Sequence, residues 1–153
     1  IIGLFNSSIG NGMIKYNVGF NPNVLTCYKS PFKKIRVGQD FDGGYIICDI
    51  PNIKYELLLS GGISDDISFE EEFCNKYPDC ICNAYDGTIN TIDFTNKNIN
   101  FFKKNINNFN DDNNTNLHLD LENHSNIFLK MDIEGYEIPW IKTLKLNRAT
   151  STN

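Results

Sequence analysis

The sequence has no run of about 18 apolar residues, so nothing in it reads as a membrane-spanning helix. It has no surplus of cations: 14 Lys and Arg stand against 19 Asp and Glu, a net charge of -5. Nucleic acid or an anionic membrane surface needs clustered cations that release counterions, so neither is expected as a partner. No CxxC pair occurs among Cys27, Cys48, Cys74, Cys80 and Cys82, and their number is odd. A zinc site wants paired thiolates with further Cys or His ligands, so no metal is expected, and reduced buried thiols of a cytoplasmic protein are. His118 and His124 lie in an irregular stretch and join no catalytic pattern. No secretory leader is evident: the apolar start is short and broken by Gly3, Asn6 and Ser7. Ile1 rather than Met opens the sequence, which reads as a chain cut at its N-terminus. The abundance of Asn, Ile and Lys reads as a genome signature, and the glycosylation sequons at Asn6, Asn113 and Asn123 as chance in so Asn-rich a chain.

What is present suits one folded domain. In 153 residues with 41% hydrophobic and 12% aromatic side chains, a sizeable core is available. Residues 1–32 are rich in Gly, Asn and Ser and read as an irregular extension, leaving 33–153 as the folded part. Ile35 and Val37 alternate with polar neighbours, Tyr45–Asp49 is β-prone, and Asp42-Gly43-Gly44 between them predicts a tight hairpin turn with Gly at positive φ. Residues 55–60 form a nearly continuous apolar run, as a buried parallel strand would, and Gly61-Gly62 stops it. Ser68 and Glu71 have capping-box spacing, Phe69, Phe73 and Tyr77 recur every four residues, and Pro78 ends the helix. A strand over 80–85, closed by Asp86-Gly87, completes a βαβ unit.

The middle reads two ways. Ile99, Phe102, Ile106 and Phe109 fit a helical stripe, yet 99–106 is also rich in strand formers. Residues 107–116 read as a polar loop, 117–122 as a short helix, and 126–133 as the clearest late strand. Pro139 sits in the first turn of a final helix that Leu144 and Leu146 continue.

Alternating strands and helices imply an α/β sheet with its ligand at the carboxyl ends of the strands. Three such ends carry suggestive residues. Gly61-Gly62 leads through Ser64 and Asp65 into a helix, and paired Gly allows close backbone approach to a ligand. Asp86 stands where nucleotide-binding βαβ folds place a ribose-binding acid. Asp132, Glu134 and Gly135 close the late strand. The ordinary alternatives are a plain turn at Gly61-Gly62, a plain turn at Asp86-Gly87 and a helix cap at Asp132.

The stretches Leu57–Glu70, Ala84–Thr88 and Phe128–Glu137 resemble the FkbM-type methyltransferases, and Asp42-Gly43-Gly44-Tyr45 resembles an upstream motif of a subgroup of them. Lys130-Met131-Asp132-Ile133-Glu134-Gly135-Tyr136-Glu137 is the most specific match. The resemblance covers roughly residues 33–142. It implies a Rossmann-like class I fold, an S-adenosylmethionine cofactor and methyl transfer, read here as O-methylation of a small molecule or glycan. It implies that Ser60, Gly61, Gly62, Ser64 and Asp65 surround the methionine part, that Asp86 and Gly87 meet the ribose, and that Asp132 lies beside the methyl-transfer pocket. Asp132 or Glu134 would then be the general base. It also implies that 99–105 is the third strand.

One departure is Ser60, where the commoner motif has an acid; Asp65 or Asp66 is expected to supply that charge. A second is length. The class I sheet has seven strands and this sequence reaches the fourth, so a mostly parallel but incomplete sheet is expected, preceded by the hairpin and completed by a further chain segment or a partner. The competing functions are an inactive methyltransferase-fold binding module and a nucleotide-sugar or dinucleotide enzyme, the latter disfavoured by the absence of GxGxxG.

Overall fold

The computed structural model describes residues 30–40 and 42–144. The irregular extension expected over most of 1–32, with Cys27, and the ending beyond Leu144 lie outside the described residues.

A two-stranded antiparallel hairpin comes first: β1 (Lys33–Val37) and β2 (Tyr45–Asp49), in register from Lys33↔Asp49 to Val37↔Tyr45. Then follow β3 (Leu57–Gly61), α1 (Ser68–Lys76), β4 (Ile81–Tyr85) and β5 (Ile99–Phe102). Two short bridges, β6 (Asn105–Ile106) and β7 (Asn114–Thr115), pair with each other. The chain continues through α2 (His118–Asn123), β8 (Ile127–Met131) and α3 (Glu137–Ile141). Strands β3, β4, β5 and β8 form one parallel sheet in the order β5-β4-β3-β8. The chain thus steps outward from β3 through β4 to β5, then returns to lay β8 on the other side of β3. That reversal leaves a crevice beyond the carboxyl ends of β3 and β8, where open α/β sheets place ligands.

Side-chain alternation along β3 builds two cores. Leu58 faces α1 and the hairpin with Phe69, Phe73, Cys82 and Phe128, whereas Leu57 and Leu59 face Leu117 and Trp140. All five β3 residues are buried, as the continuous apolar run requires. Tyr55 packs edge-on against Phe128 and Tyr77, and Phe73 lies 4.8 Å from Phe128, so the every-fourth aromatic stripe of α1 forms the seam with the sheet. Cys48, Cys74, Cys80 and Cys82 are free thiols. Burial pushes Cys80 up to about 12, as expected of inert packing cysteines.

Several expectations are corrected. The hairpin ladder forms with a turn at Asp42–Gly43, but its positive φ falls on Gly38 rather than on Gly43 or Gly44. The reason is docking: Gly38 N–H donates to Glu72 Oε2 at 2.7 Å, Gln39 N–H to Ser68 Oγ at 3.0 Å, and Ser68 Oγ–H to Gly43 O at 3.1 Å. A Cβ on Gly43 would overlap the Asp66 carboxylate. With Ser68 spent on the loop and Glu71 on Thr95 and Asn96, no capping box forms, and Ile67 is the N-cap of α1. In the middle, the strand implied by the resemblance forms in place of the helical stripe, though it is shorter than 99–105. Ile99 and Ile106 are buried in different cores while Phe102 and Phe109 are exposed, and β5 is a strand that stops at Phe102. The polar loop contains β7, and the late strand ends at Met131, not at 133. Helix α3 spans Glu137–Ile141, so Leu144 packs beyond its end; Leu146 lies outside the described residues.

Candidate functional site

A cavity of about 690 Å³ opens at the carboxyl ends of the parallel strands, within the range of small-molecule sites. Its wall brings together Gly62, Ser64 and Asp65 after β3, Asp86 and Gly87 after β4, and Asp132 and Glu134 after β8. The hairpin adds Tyr45 and Asp42.

Backbone hydrogen bonds stitch these ends together. Gly62 N–H donates to Tyr85 O and Asp132 N–H to Gly61 O, both at 3.0 Å. Ser64 N–H then donates to Asp86 Oδ2 at 2.9 Å, so the turn after β3 and the acid after β4 form one unit. Asp86 Oδ1 accepts from Thr88 N–H at 2.8 Å and Thr88 Oγ–H at 2.5 Å. Burial pushes the Asp86 carboxyl upward, but the Thr88 and Ser64 donors outweigh it and hold the group below the usual carboxylate range. The Ile89 N–H is a further donor to this carboxylate, which is thus fastened by backbone from the ends of both β3 and β4.

Both glycines are required by close packing within the protein. Gly62 has φ +71, and a Cβ there would overlap the Asp132 carbonyl oxygen. A Cβ on Gly61 would meet Ile106, Ile133 and Met131. Both glycines therefore let the protein pack on itself, and Gly61 lies beneath the cavity rather than in its wall. Ser64 and Glu134, both in the wall, hold φ of +50 and +54, a region uncommon for residues with a side chain.

Ser60 also lies beneath the wall, fully buried, and its hydroxyl donates to Glu70 Oε1. Glu70, from α1 and equally buried, is the carboxylate that stands next to Ser60. Asp65 is exposed, and Asp66 accepts from Gln39 and from Ser68 N–H instead. Lys130 completes the group: its ammonium lies 3.5 Å from Glu70 Oε1, donates to Gly62 O at 3.1 Å, and sits 5.2 Å from the Tyr45 ring centroid. Side-chain alternation puts Lys130 and Asp132 on one face of the strand, yet the partner of Lys130 is Glu70 and not Asp132. The available signal was helical spacing: Glu70 recurs with Phe73, Cys74 and Tyr77 on the core-facing side of α1.

Asp132 has a different partner. Tyr45 Oη–H donates to Asp132 Oδ2 at 3.0 Å, and the Tyr45 ring packs edge-on against Phe69 at 5.3 Å. Burial, reinforced by Asp132, pushes the Tyr45 hydroxyl pKa up, so the tyrosine stays a donor. Glu134 is exposed, and Glu137 secures the turn after β8 by accepting from Ile133 N–H and Gly135 N–H, each at 2.9 Å. Away from the cavity, His118 and His124 contact Thr143 Oγ and Asp120 O, and Asp120 accepts from Asn83 and Tyr85. Among the described residues no three His, Cys, Asp or Glu side chains form a metal-binding group, and no helix is long and apolar enough to cross a membrane. The chain matches no family model, no curated protein and no solved structure.

Proposed function

We propose that the chain is an S-adenosylmethionine-dependent methyltransferase of the FkbM type, with a Rossmann-like sheet, transferring a methyl group to a hydroxyl of a small molecule or glycan. One observation carries the reading: the Gly62–Ser64 turn and the Asp86 carboxylate, joined at 2.9 Å, share a cavity with Asp132, held by Tyr45. The cavity volume suits a nucleoside-sized ligand, and a carboxylate held ionised in its wall, that of Asp86, suits the ribose hydroxyls.

In this reading the turn after Gly62 and the Asp65 side chain face the amino-acid part of the cofactor, and Asp86 orients the ribose. The cofactor, when bound, supplies an electrophilic methyl group. The chain's own task is then alignment and proton removal. Tyr45 fixes one oxygen of Asp132, and the other is left to accept the proton of an acceptor hydroxyl. Asp132 suits the base better than Glu134, because Glu134 is exposed.

A binding module without turnover is the second reading. Its support is the sheet itself: the described residues supply four parallel strands where a class I methyltransferase sheet has seven, with β8 at one edge. A further chain segment or a partner along β8 would reconcile the two readings. Calorimetry with S-adenosylmethionine, followed by transfer of its labelled methyl group to hydroxyl acceptors, tests the proposal. Binding with transfer supports the enzyme, binding without transfer the module, and no binding rejects both.

A further inference from the structure

We infer that Lys130, held by the buried Glu70 carboxylate, is a positioning residue of the cavity: its ammonium fixes the turn after β3 from the β8 side while Asp86 fixes it from the β4 side. This deepens the methyltransferase reading, on which the identity of the ligand rests.

The turn has to be held from outside. Gly62 and Ser64 have φ of +71 and +50, and a residue with a side chain keeps the second value only where its surroundings impose it. Three hydrogen bonds do so. Gly62 N–H donates to Tyr85 O at 3.0 Å and Ser64 N–H to Asp86 Oδ2 at 2.9 Å, both toward β4. Toward β8, the Gly62 carbonyl accepts from Lys130 Nζ at 3.1 Å. The same ammonium lies 5.2 Å from the centroid of the Tyr45 ring, whose hydroxyl donates to Asp132. Lys130 itself stands in the cavity wall. One cation thus joins the turn after β3 to the tyrosine that sets the acid after β8.

Stability alone does not account for the pair. Lys130 and Glu70 are both buried, and Glu70 Oε2 has no hydrogen-bond partner. Two desolvated charges with an oxygen left unsatisfied gain little over apolar side chains of similar size. The sheet does not call for a cation there either. Phe128, two residues earlier on the same face of β8, packs in the apolar core, and an apolar residue at 130 would continue it. What an apolar pair cannot supply is a donor to the Gly62 carbonyl. Backbone fixed before the ligand arrives does not have to be ordered on binding, so the donor acts on affinity where the pair does little for the fold.

The test compares two variants of the full chain. The Lys130→Met, Glu70→Met double variant makes the pair apolar. Glu70→Gln removes only the carboxylate charge and leaves an amide oxygen to accept from Lys130 and Ser60. Opposite patterns are expected. The double variant should keep most of the wild-type stability in urea, yet bind S-adenosylmethionine about tenfold more weakly by calorimetry. Its Ser64 amide should exchange hydrogen several-fold faster, while the Ile81 amide, bonded to Glu56 O at the far end of the sheet, keeps its rate. Glu70→Gln should lose stability, because a buried ammonium is left uncompensated, but keep its affinity within about threefold. Wild-type affinity in the double variant, a Ser64 amide no faster than before, or a double variant that does not fold would each overturn the inference and leave the cofactor reading intact. Failure of the wild-type chain to bind S-adenosylmethionine would instead remove that reading, and the Ser64 exchange rate would still decide whether Lys130 holds the turn.

Discussion

The Tyr45 hydroxyl donates to Asp132 Oδ2 at 3.0 Å, bridging 87 positions of sequence to join the hairpin to the end of β8. This bond ties the Asp42-Gly43-Gly44-Tyr45 stretch to the Lys130–Glu137 stretch, the two being far apart in sequence. Tyr45→Phe keeps the ring contacts with Phe69 and Lys130 and removes only the donor to a carboxylate. The unfolding free energy is expected to fall by about 1–3 kcal/mol. Asp132→Asn should cost less, since its amide oxygen still accepts from Tyr45. Urea titration of both variants checks the order, and an unaltered midpoint in Tyr45→Phe would show that the bond contributes nothing.

Gly62 and Gly135 both have positive φ, +71 and +94, but only Gly62 faces an obstruction. Gly135→Ala meets open space and should cost about 1 kcal/mol of backbone strain. Gly62→Ala adds the overlap with the Asp132 carbonyl and is expected to cost clearly more, with the strand ends forced apart. Equal losses of stability in the two variants would contradict the packing role given to Gly62.

Lys130 and Glu70 form a buried pair at 3.5 Å, with side chains 6% and 0% exposed, and Glu70 Oε2 has no hydrogen-bond partner. Lys130→Met leaves a buried carboxylate uncompensated and should destabilise by about 3–5 kcal/mol. Replacing both residues by apolar ones should recover most of that loss. Additive losses in the double variant would mean that the pair is not the reason Lys130 is there.

Acid sensitivity follows from Asp86, Asp66 and Glu71, whose carboxyls all sit below their ordinary values. In each case burial raises the group and hydrogen-bond donors lower it further. A depressed folded-state value contributes stability that is present above the unfolded value, about pH 4, and is lost as pH falls through the folded one. Stability measured by urea unfolding is therefore expected to drop steadily below about pH 4. Asp86→Asn should flatten part of that slope, and an unchanged slope would argue against the hydrogen-bonded carboxylate described here.

Much of the parallel sheet was legible because β3 and β8 are apolar runs and α1 repeats aromatics every four residues. Those signals are local, and local signals survive in a sequence. The Ser68–Glu71 capping box failed because a tertiary partner, the hairpin loop, claimed the serine. The turn was legible in part: it falls at Asp42–Gly43, but docking on α1 moves the positive φ to Gly38. In the middle, Ile99, Phe102, Ile106 and Phe109 have helical spacing by coincidence, their burial being divided between two cores and solvent, and the strand implied by the resemblance forms over Ile99–Phe102. At the site, Gly62, Ser64, Asp65, Asp86, Gly87, Asp132 and Glu134 were legible from strand ends. Tyr45 and Glu70 were not, because each reaches its partner, Asp132 or Ser60, only through the fold.

The central claim is that the cavity between the Gly62–Ser64 turn and Asp86 holds S-adenosylmethionine. Calorimetric titration of the wild-type chain and of Asp86→Ala tests it most directly. The account expects one site per chain in the wild type and an affinity lower by about tenfold to a hundredfold in Asp86→Ala, with the variant still folded by circular dichroism. No heat of binding in the wild type, or the same affinity in both proteins, would contradict it.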